Sequence, residues 1–126
     1  MKAYGEMGET MRGMIKAFRD LPLNVVMMSK QARNEDAEGR VSYGPAMPGR
    51  KLTQGIGYFF DLMLCMHAKA FQDASEGTPK GGRVVIKRYL QTDRDGRYEA
   101  KDRSGALAMY ERASLAHIHS KIVGET

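Results

Sequence analysis

The chain is 126 residues long, with 42% apolar residues, ten methionines, no tryptophan and one cysteine, which allows one domain with one core and excludes a disordered chain. A net charge of +5 and a pI near 9.4 permit a polyanionic partner without requiring one. No apolar run reaches the ~18 residues of a membrane span and no signal-peptide segment opens the chain, so a cytoplasmic protein without membrane attachment is expected.

Residues 5–21 place Met7, Met11, Met14, Ile15, Phe18 and Leu21 at helical spacing. Glu6, Glu9, Arg12, Lys16 and Arg19 fall mostly on the other face. Gly8 and Gly13 each cost about 1 kcal/mol against alanine, so this helix needs tertiary support. Pro22 ends it by disfavouring helix at Leu21.

Residues 24–29 (NVVMMS) read as a buried strand. A helix running directly into such a strand suggests a crossover unit whose first strand is supplied from elsewhere. Residues 30–51 follow as a long polar loop interrupted by Gly39, Gly44, Pro45, Pro48 and Gly49. It carries Lys30, Arg33, Arg40, Arg50 and Lys51 around one aromatic ring, Tyr43. Basic groups beside a stackable ring suit single-stranded nucleic acid. The same composition also fits a solvated surface loop.

A short helix over 52–58 and a second buried strand over 59–66 come next. Two buried strands with a polar loop at their ends are how an open parallel sheet presents a site. Asp61 inside the second strand needs a Lys or Arg partner, or a metal-bound water, with the ion pair favoured. Cys65 reads as a small core residue rather than a reactive thiol.

Residues 67–82 read as a polar link. Residues 83–92 and 97–103 read as the two strands of an edge hairpin around the turn Asp93-Arg94-Asp95-Gly96. Lys101 and Arg103, two apart on a strand, share one face. Ser114 caps a last helix over 115–123, with Leu115, Ile118 and Ile122 on one side. His117 and His119 do not face each other on a helix, so no metal site is expected there. No G-x-x-x-x-G-K-[ST], nucleophile–histidine set or zinc-type Cys/His cluster occurs in these residues.

The ordered strings VVMMSKQAR, PGRKLTQGIGYFFDLMLCM and RYLQTDRDGRYEAKDRSGAL resemble the C-terminal half of a RecA-type ATPase core. They most resemble phage-encoded nucleotide-binding ATPases of the AAA superfamily that work with single-strand annealing and recombination proteins. The resemblance implies an α/β fold: a partial RecA-like P-loop NTPase core of parallel strands flanked by helices, with an antiparallel edge hairpin and without the N-terminal P-loop strand and helix. Residues 1–126 would form one incomplete domain, with 30–51 a flexible DNA-loop-like segment and 106–126 a helical tail. Gln31 would sense the γ-phosphate, with Ser29 and Lys30 beside it at the nucleotide. Arg33, Arg40, Tyr43, Arg50 and Lys51 would contact single-stranded DNA. Lys101 and Arg103 would reach a neighbouring subunit's nucleotide. Without the resemblance, the charged strand around them reads as a guard against edge-to-edge aggregation. The implied cofactors are ATP and Mg2+, which this chain alone would neither bind productively nor hydrolyse. Implied partners are single-stranded DNA and either further copies of the chain or a P-loop-bearing polypeptide, in a phage-infected or prophage-bearing bacterial host. A stand-alone single-stranded nucleic-acid-binding module, or a subunit that docks on an intact ATPase, are the alternatives.

Overall fold

The computed structural model describes residues 2–48, 50–72 and 84–124. Helix α1 (Lys2–Arg19) leads through an irregular segment into a hairpin, β1 (Gln31–Glu35) and β2 (Val41–Pro45). Helix α2 (Arg50–Gly55) runs into a 3-10 turn (Ile56–Phe59). The strands β3 (Leu62–Met63), β4 (Cys65–Gln72), β5 (Val84–Gln91), β6 (Lys101–Asp102) and β7 (Tyr110–Arg112) precede the last helix, α3 (Leu115–Val123).

The apolar stripe of α1 does form, but only its centre is sealed. Ile15 is buried with Leu52 and Ile56, and Met11, Met47, Phe59 and Phe60 pack around them. Each of those three buried side chains contributes about 1.5–3 kcal/mol by leaving water. Met7, Met14 and Phe18 remain about half exposed. The charged side of α1 closes over the same cluster: Lys16 and Arg19 sit 5.8 and 5.7 Å from the Phe59 ring centroid.

The described strands form three small sheets, β1–β2, β3–β6 and β4–β5–β7, and every ladder is antiparallel. The expected parallel core is therefore corrected among the described residues; the one parallel contact is the isolated bridge Tyr43–Tyr98. Residues 24–29 are not a strand. Val26 is 61% and Met28 95% exposed, and no described strand pairs with the segment. β-Branched residues favour a strand only where a ladder and a covered face exist to receive them. Residues 30–51, expected as a loop, contain the β1–β2 hairpin. The second buried strand over 59–66 is also corrected: Phe59 ends the 3-10 turn, β3 is two residues long, and β4 starts at Cys65.

The polar link over 67–82 is instead strand as far as Gln72; residues 73–83 lie outside the described set. Its alternation of polar and apolar residues suits a strand, although both of its faces stay largely exposed, and polarity alone disguised it. The 83–92 strand exists as β5, but its partners are β4 and β7, not residues 97–103. The expected turn still forms, with Gly96 at φ 54° and an Asp95–Tyr98 bridge. What redirects the chain after it is burial. Gln91 and Thr92 are each 1% exposed, and the Thr92 N–H donates to Met109 O at 3.0 Å. Those contacts commit the end of β5 to β7, and residues 101–102 pair with β3.

Helix α3 starts as the sequence requires: the Ser114 hydroxyl accepts from His117 N, and Gly124 closes the helix at φ 78°. Ile118 is buried, whereas Leu115 is 57% exposed. Glu111 of β7, only 6% exposed, accepts from His117 Nε2 at 2.8 Å and from Lys121 Nζ. The Lys121 contact holds this carboxyl below the usual range, the His117 contact adds to it, and burial opposes both. Thus α3 packs on β7 and shields the end of the sheet where Leu90 and Glu111 are opposed in register, while Met66 and Ile86, farther along the same side, stay exposed. Among the described residues no helix is long and apolar enough to cross a membrane.

Candidate functional site

The hairpin owes its turn to one carboxylate. Asp36 Oδ1 accepts from Glu38 N and Arg40 N, each at 2.9 Å. Gly39 supplies the positive φ of 81° that the bend requires. At the foot, Ala46 N donates to Lys30 O at 2.7 Å, and the Ser29 hydroxyl reaches Lys30 O and Ala46 O at 3.0 and 3.1 Å. Gln31 Nε2 lies 3.5 Å from Cys65 Sγ. Half-burial of that thiol raises its pKa, so Cys65 stays a thiol at neutral pH, with the Gln31 contact opposing the rise. Ser29, Lys30 and Gln31 thus gather at the base of the hairpin.

The register sets Arg33 directly opposite Tyr43. Among the described residues Arg33 keeps only a long contact to Glu35, 3.7 Å, and Arg40 pairs with Glu38 at the exposed tip at 2.6 Å. Arg50 and Lys51 open α2, away from the two strands, and their side chains lie outside the described set.

Tyr43 fastens this hairpin to the rest of the molecule. Its N–H donates to Arg97 O at 2.6 Å, and its carbonyl accepts from Glu99 N at 2.9 Å. Its ring stacks on Tyr98, with centroids 5.1 Å apart and planes at 22°. Tyr98 meets His67 edge-on at 4.6 Å, His67 stacks on Tyr89 at 5.2 Å, and Tyr89 meets Tyr110 at 5.5 Å. Five rings therefore run without a break from the hairpin across the three-stranded sheet. Beneath them, the Gln91 amide nitrogen donates to Asp93 O at 2.8 Å, which turns its oxygen toward His67 Nε2, also at 2.8 Å. Composition had shown only Tyr43 of this row. For His67 and Tyr89 the signal was the alternation His67-x-Lys69-x-Phe71 against Lys87-x-Tyr89, legible once both segments are taken as strands; Tyr98 and Tyr110 carried no such signal.

Two residues after Glu99, β6 begins with Lys101, and Arg103 follows directly after the strand. Lys101 Nζ donates to Gly57 O at 2.6 Å. Burial lowers the Lys101 pKa, the neighbouring Arg103 lowers it further, and Asp61 opposes both. Arg103 bonds Asp61 twice, side chain to carboxylate at 2.7 Å and N–H to carbonyl at 3.0 Å. The pairing expected for Asp61 is found, although its side chain is 81% exposed rather than inside a strand. Asp102, between the two cations, caps the following turn through Ser104 N at 2.9 Å and Leu107 N at 3.1 Å. Burial pushes its pKa up, and together the Ser104 hydroxyl and the turn N–H groups bring it below the usual range.

Neither cation faces a phosphate-binding loop of this chain. The 126 residues contain no G-x-x-x-x-G-K-[ST]. Among the described residues no group of three or more His, Cys, Asp or Glu is placed to hold a metal ion. ATP with magnesium does not fit these residues by themselves, and no step through it is derived from them. The arrangement can instead present an exposed basic hairpin and an exposed guanidinium, joined through Tyr43 and residues 97–99.

A family model described as an AAA domain matches residues 1–104. It agrees with the sequence resemblance at the level of an AAA-type, nucleotide-binding domain. No curated protein and no solved structure gives a significant match.

Proposed function

The chain belongs to the AAA domain family, and from that premise we propose that it is the DNA-contacting and nucleotide-responding portion of an ATPase of DNA recombination or annealing, of phage type. The phosphate grip comes from a P-loop on another polypeptide segment. Arg33, Arg40 and Tyr43 of the hairpin, with Arg50 and Lys51 after it, hold single-stranded DNA. Ser29, Lys30 and Gln31 respond to the nucleotide state. Lys101 and Arg103 serve a nucleotide bound by a neighbouring subunit, where a correctly placed cation is worth on the order of 10³ in rate.

One observation carries this reading. The two backbone hydrogen bonds and the ring stack of Tyr43 land on residues 97–99, immediately before Lys101. A strand held in the hairpin therefore pulls on the segment that positions the basic pair. Such a connection is what DNA-stimulated hydrolysis needs, and a charged edge strand alone has no use for it.

The test mixes this chain with a P-loop-bearing partner and follows ATP hydrolysis with and without a single-stranded oligonucleotide. The chain is expected to raise hydrolysis over the partner alone, DNA to raise it further, and Tyr98→Ala to remove most of the DNA effect. No gain over the partner alone sinks the proposal. A second reading, a stand-alone single-stranded nucleic-acid module, is favoured by the cross-strand Arg33–Tyr43 pair. Salt-dependent oligonucleotide binding with no effect on any ATPase would select it. Co-purification with an intact ATPase, lost in Lys101→Ala/Arg103→Ala, would select a docking subunit instead.

A further inference from the structure

We propose that the face of the β4–β5–β7 sheet carrying Lys69, Phe71 and Lys87 is itself a binding track for single-stranded nucleic acid, with Lys69 and Lys87 taking phosphates and Phe71, Tyr89 and His67 taking bases. This rests on the reading that the chain meets single-stranded DNA, and it names a surface beyond the hairpin.

The register carries the argument. His67 opposes Tyr89, Lys69 opposes Lys87, and Phe71 opposes Val85, so these side chains share one face. It is the face away from Leu90, Glu111 and α3. β7 adds Arg112 opposite Tyr89 and Tyr110 opposite Gln91. The three strands thus place four aromatic or imidazole rings and three cations on this face; the carboxylate that reaches it is Asp95, bonded to the Tyr110 hydroxyl at 2.8 Å at the end far from Lys69 and Lys87.

Two lysines directly opposite each other on paired strands repel, which costs stability unless an anion sits between them. Both ammonium groups lie 5.4 Å from the Phe71 centroid, so the ring holds them together rather than apart. Among the described residues neither lysine has an ion pair. Phe71 itself is 42% exposed between them. A part-exposed ring between two cations that have no ion pair among the described residues is a poor surface for a free protein. It suits a chain that alternates phosphates with flat bases.

The end nearer the hairpin adds directionality. Gln91 is locked by the carbonyl of Asp93, so His67 Nε2 must donate to it. In the neutral form of the ring, His67 Nδ1 then offers a lone pair to a base amino group, beside the stacked Tyr89 ring. Duplex DNA hides its base faces, so the track selects single strands.

Fluorescence anisotropy of a labelled oligothymidylate across a salt series tests this on the full chain. The comparison includes Lys69→Gln/Lys87→Gln, Phe71→Ala and the hairpin variant Arg33→Gln/Arg40→Gln. All replaced side chains are exposed, and far-UV circular dichroism confirms that each variant folds. Loss of two phosphate contacts is expected to flatten the slope of log affinity against log salt by about 1.4. Phe71→Ala is expected to weaken binding roughly 5- to 150-fold, the range for one lost base stack. An abasic oligonucleotide of equal charge should not distinguish Phe71→Ala from the parent. If only the hairpin variant loses binding, the sheet-face track is overturned while the proposed function stands. If the unmodified chain binds no oligonucleotide at low salt, the proposed function and the track fail together. Equal loss with duplex DNA overturns the selection for single strands.

Discussion

Whether Arg103 can leave Asp61 separates a deployable contact from a merely charged edge. The pair is close, 2.7 Å, but its side chains are 58% and 81% exposed. In that setting an ion pair is worth about 0.2–1 kcal/mol, because water and salt screen it and two long side chains lose freedom. A cation delivered to a transferring phosphoryl group is worth on the order of 10³ in rate, or about 4 kcal/mol. Release therefore costs far less than the new contact returns. The perturbation is a double-mutant cycle of Asp61→Ala and Arg103→Ala, read by urea unfolding. A coupling energy below about 1 kcal/mol is expected. In the mixture with a P-loop-bearing partner, Arg103→Ala should cut hydrolysis on the order of 10³-fold. Asp61→Ala should leave it intact or raise it, since it frees the guanidinium. A coupling of ~3 kcal/mol, typical of a broken buried pair, or equal damage from both substitutions, would refute the reasoning.

Other expectations concern the parts that hold the site in place. Glu111→Gln keeps the shape of the carboxylate but removes its charge from His117 and Lys121, and should cost about 1.5–3 kcal/mol in urea melts. Because the folded state holds the Glu111 pKa down, its stabilisation is complete above the ordinary value of about 4.3 and fades as pH falls below it. The loosening of α3 on acidification should therefore be largely absent in Glu111→Gln, and an unchanged acid profile would contradict the assignment. Ile15→Ala, at a sealed turn of α1, should cost about 2–5 kcal/mol and expose the Leu52–Ile56 cluster to a hydrophobic dye. Thr92→Val leaves Ala108 O without the hydroxyl now 2.6 Å away and should cost about 1–3 kcal/mol. Tyr98→Ala should lose only the stacking contribution, about 0.5–1.5 kcal/mol plus its buried area, while Tyr98→Phe keeps both folding and DNA stimulation.

Some elements were legible because their signals are local. Ser114 followed by LAHIHSKIV names its own cap and ends, and α3 has those bounds. The stripe from Met7 to Leu21 and the stop at Pro22 describe α1, apart from its first turn. The turn at Asp95-Gly96 and the basic partner of Asp61 were also readable. Of the residues singled out, Arg33 and Tyr43 are opposed in register, and Lys101 begins β6 with Arg103 just after it. Arg50 and Lys51 belong to a helix instead of the hairpin, and the run NVVMMS misled because apolar, β-branched composition does not supply a neighbouring strand.

Strand pairing is where the chain's own text stopped. β4 joins β5, residues 101–102 join β3, and Tyr43 docks on residues 97–99 through competition among distant segments for the same ladder bonds and the same covered faces. A residue's spacing to its neighbours determines whether it can be helix, turn or strand. Which strand it meets depends on burial at Gln91, Thr92 and Glu111, groups whose value appears only when their partners are in place. The sequence by itself thus determined the two long helices, the turns, the basic character and the membership visible in the AAA-domain match. Tertiary structure alone decided that the rings form one row and that Lys69 faces Lys87, because both facts are set by register between segments that no local rule relates.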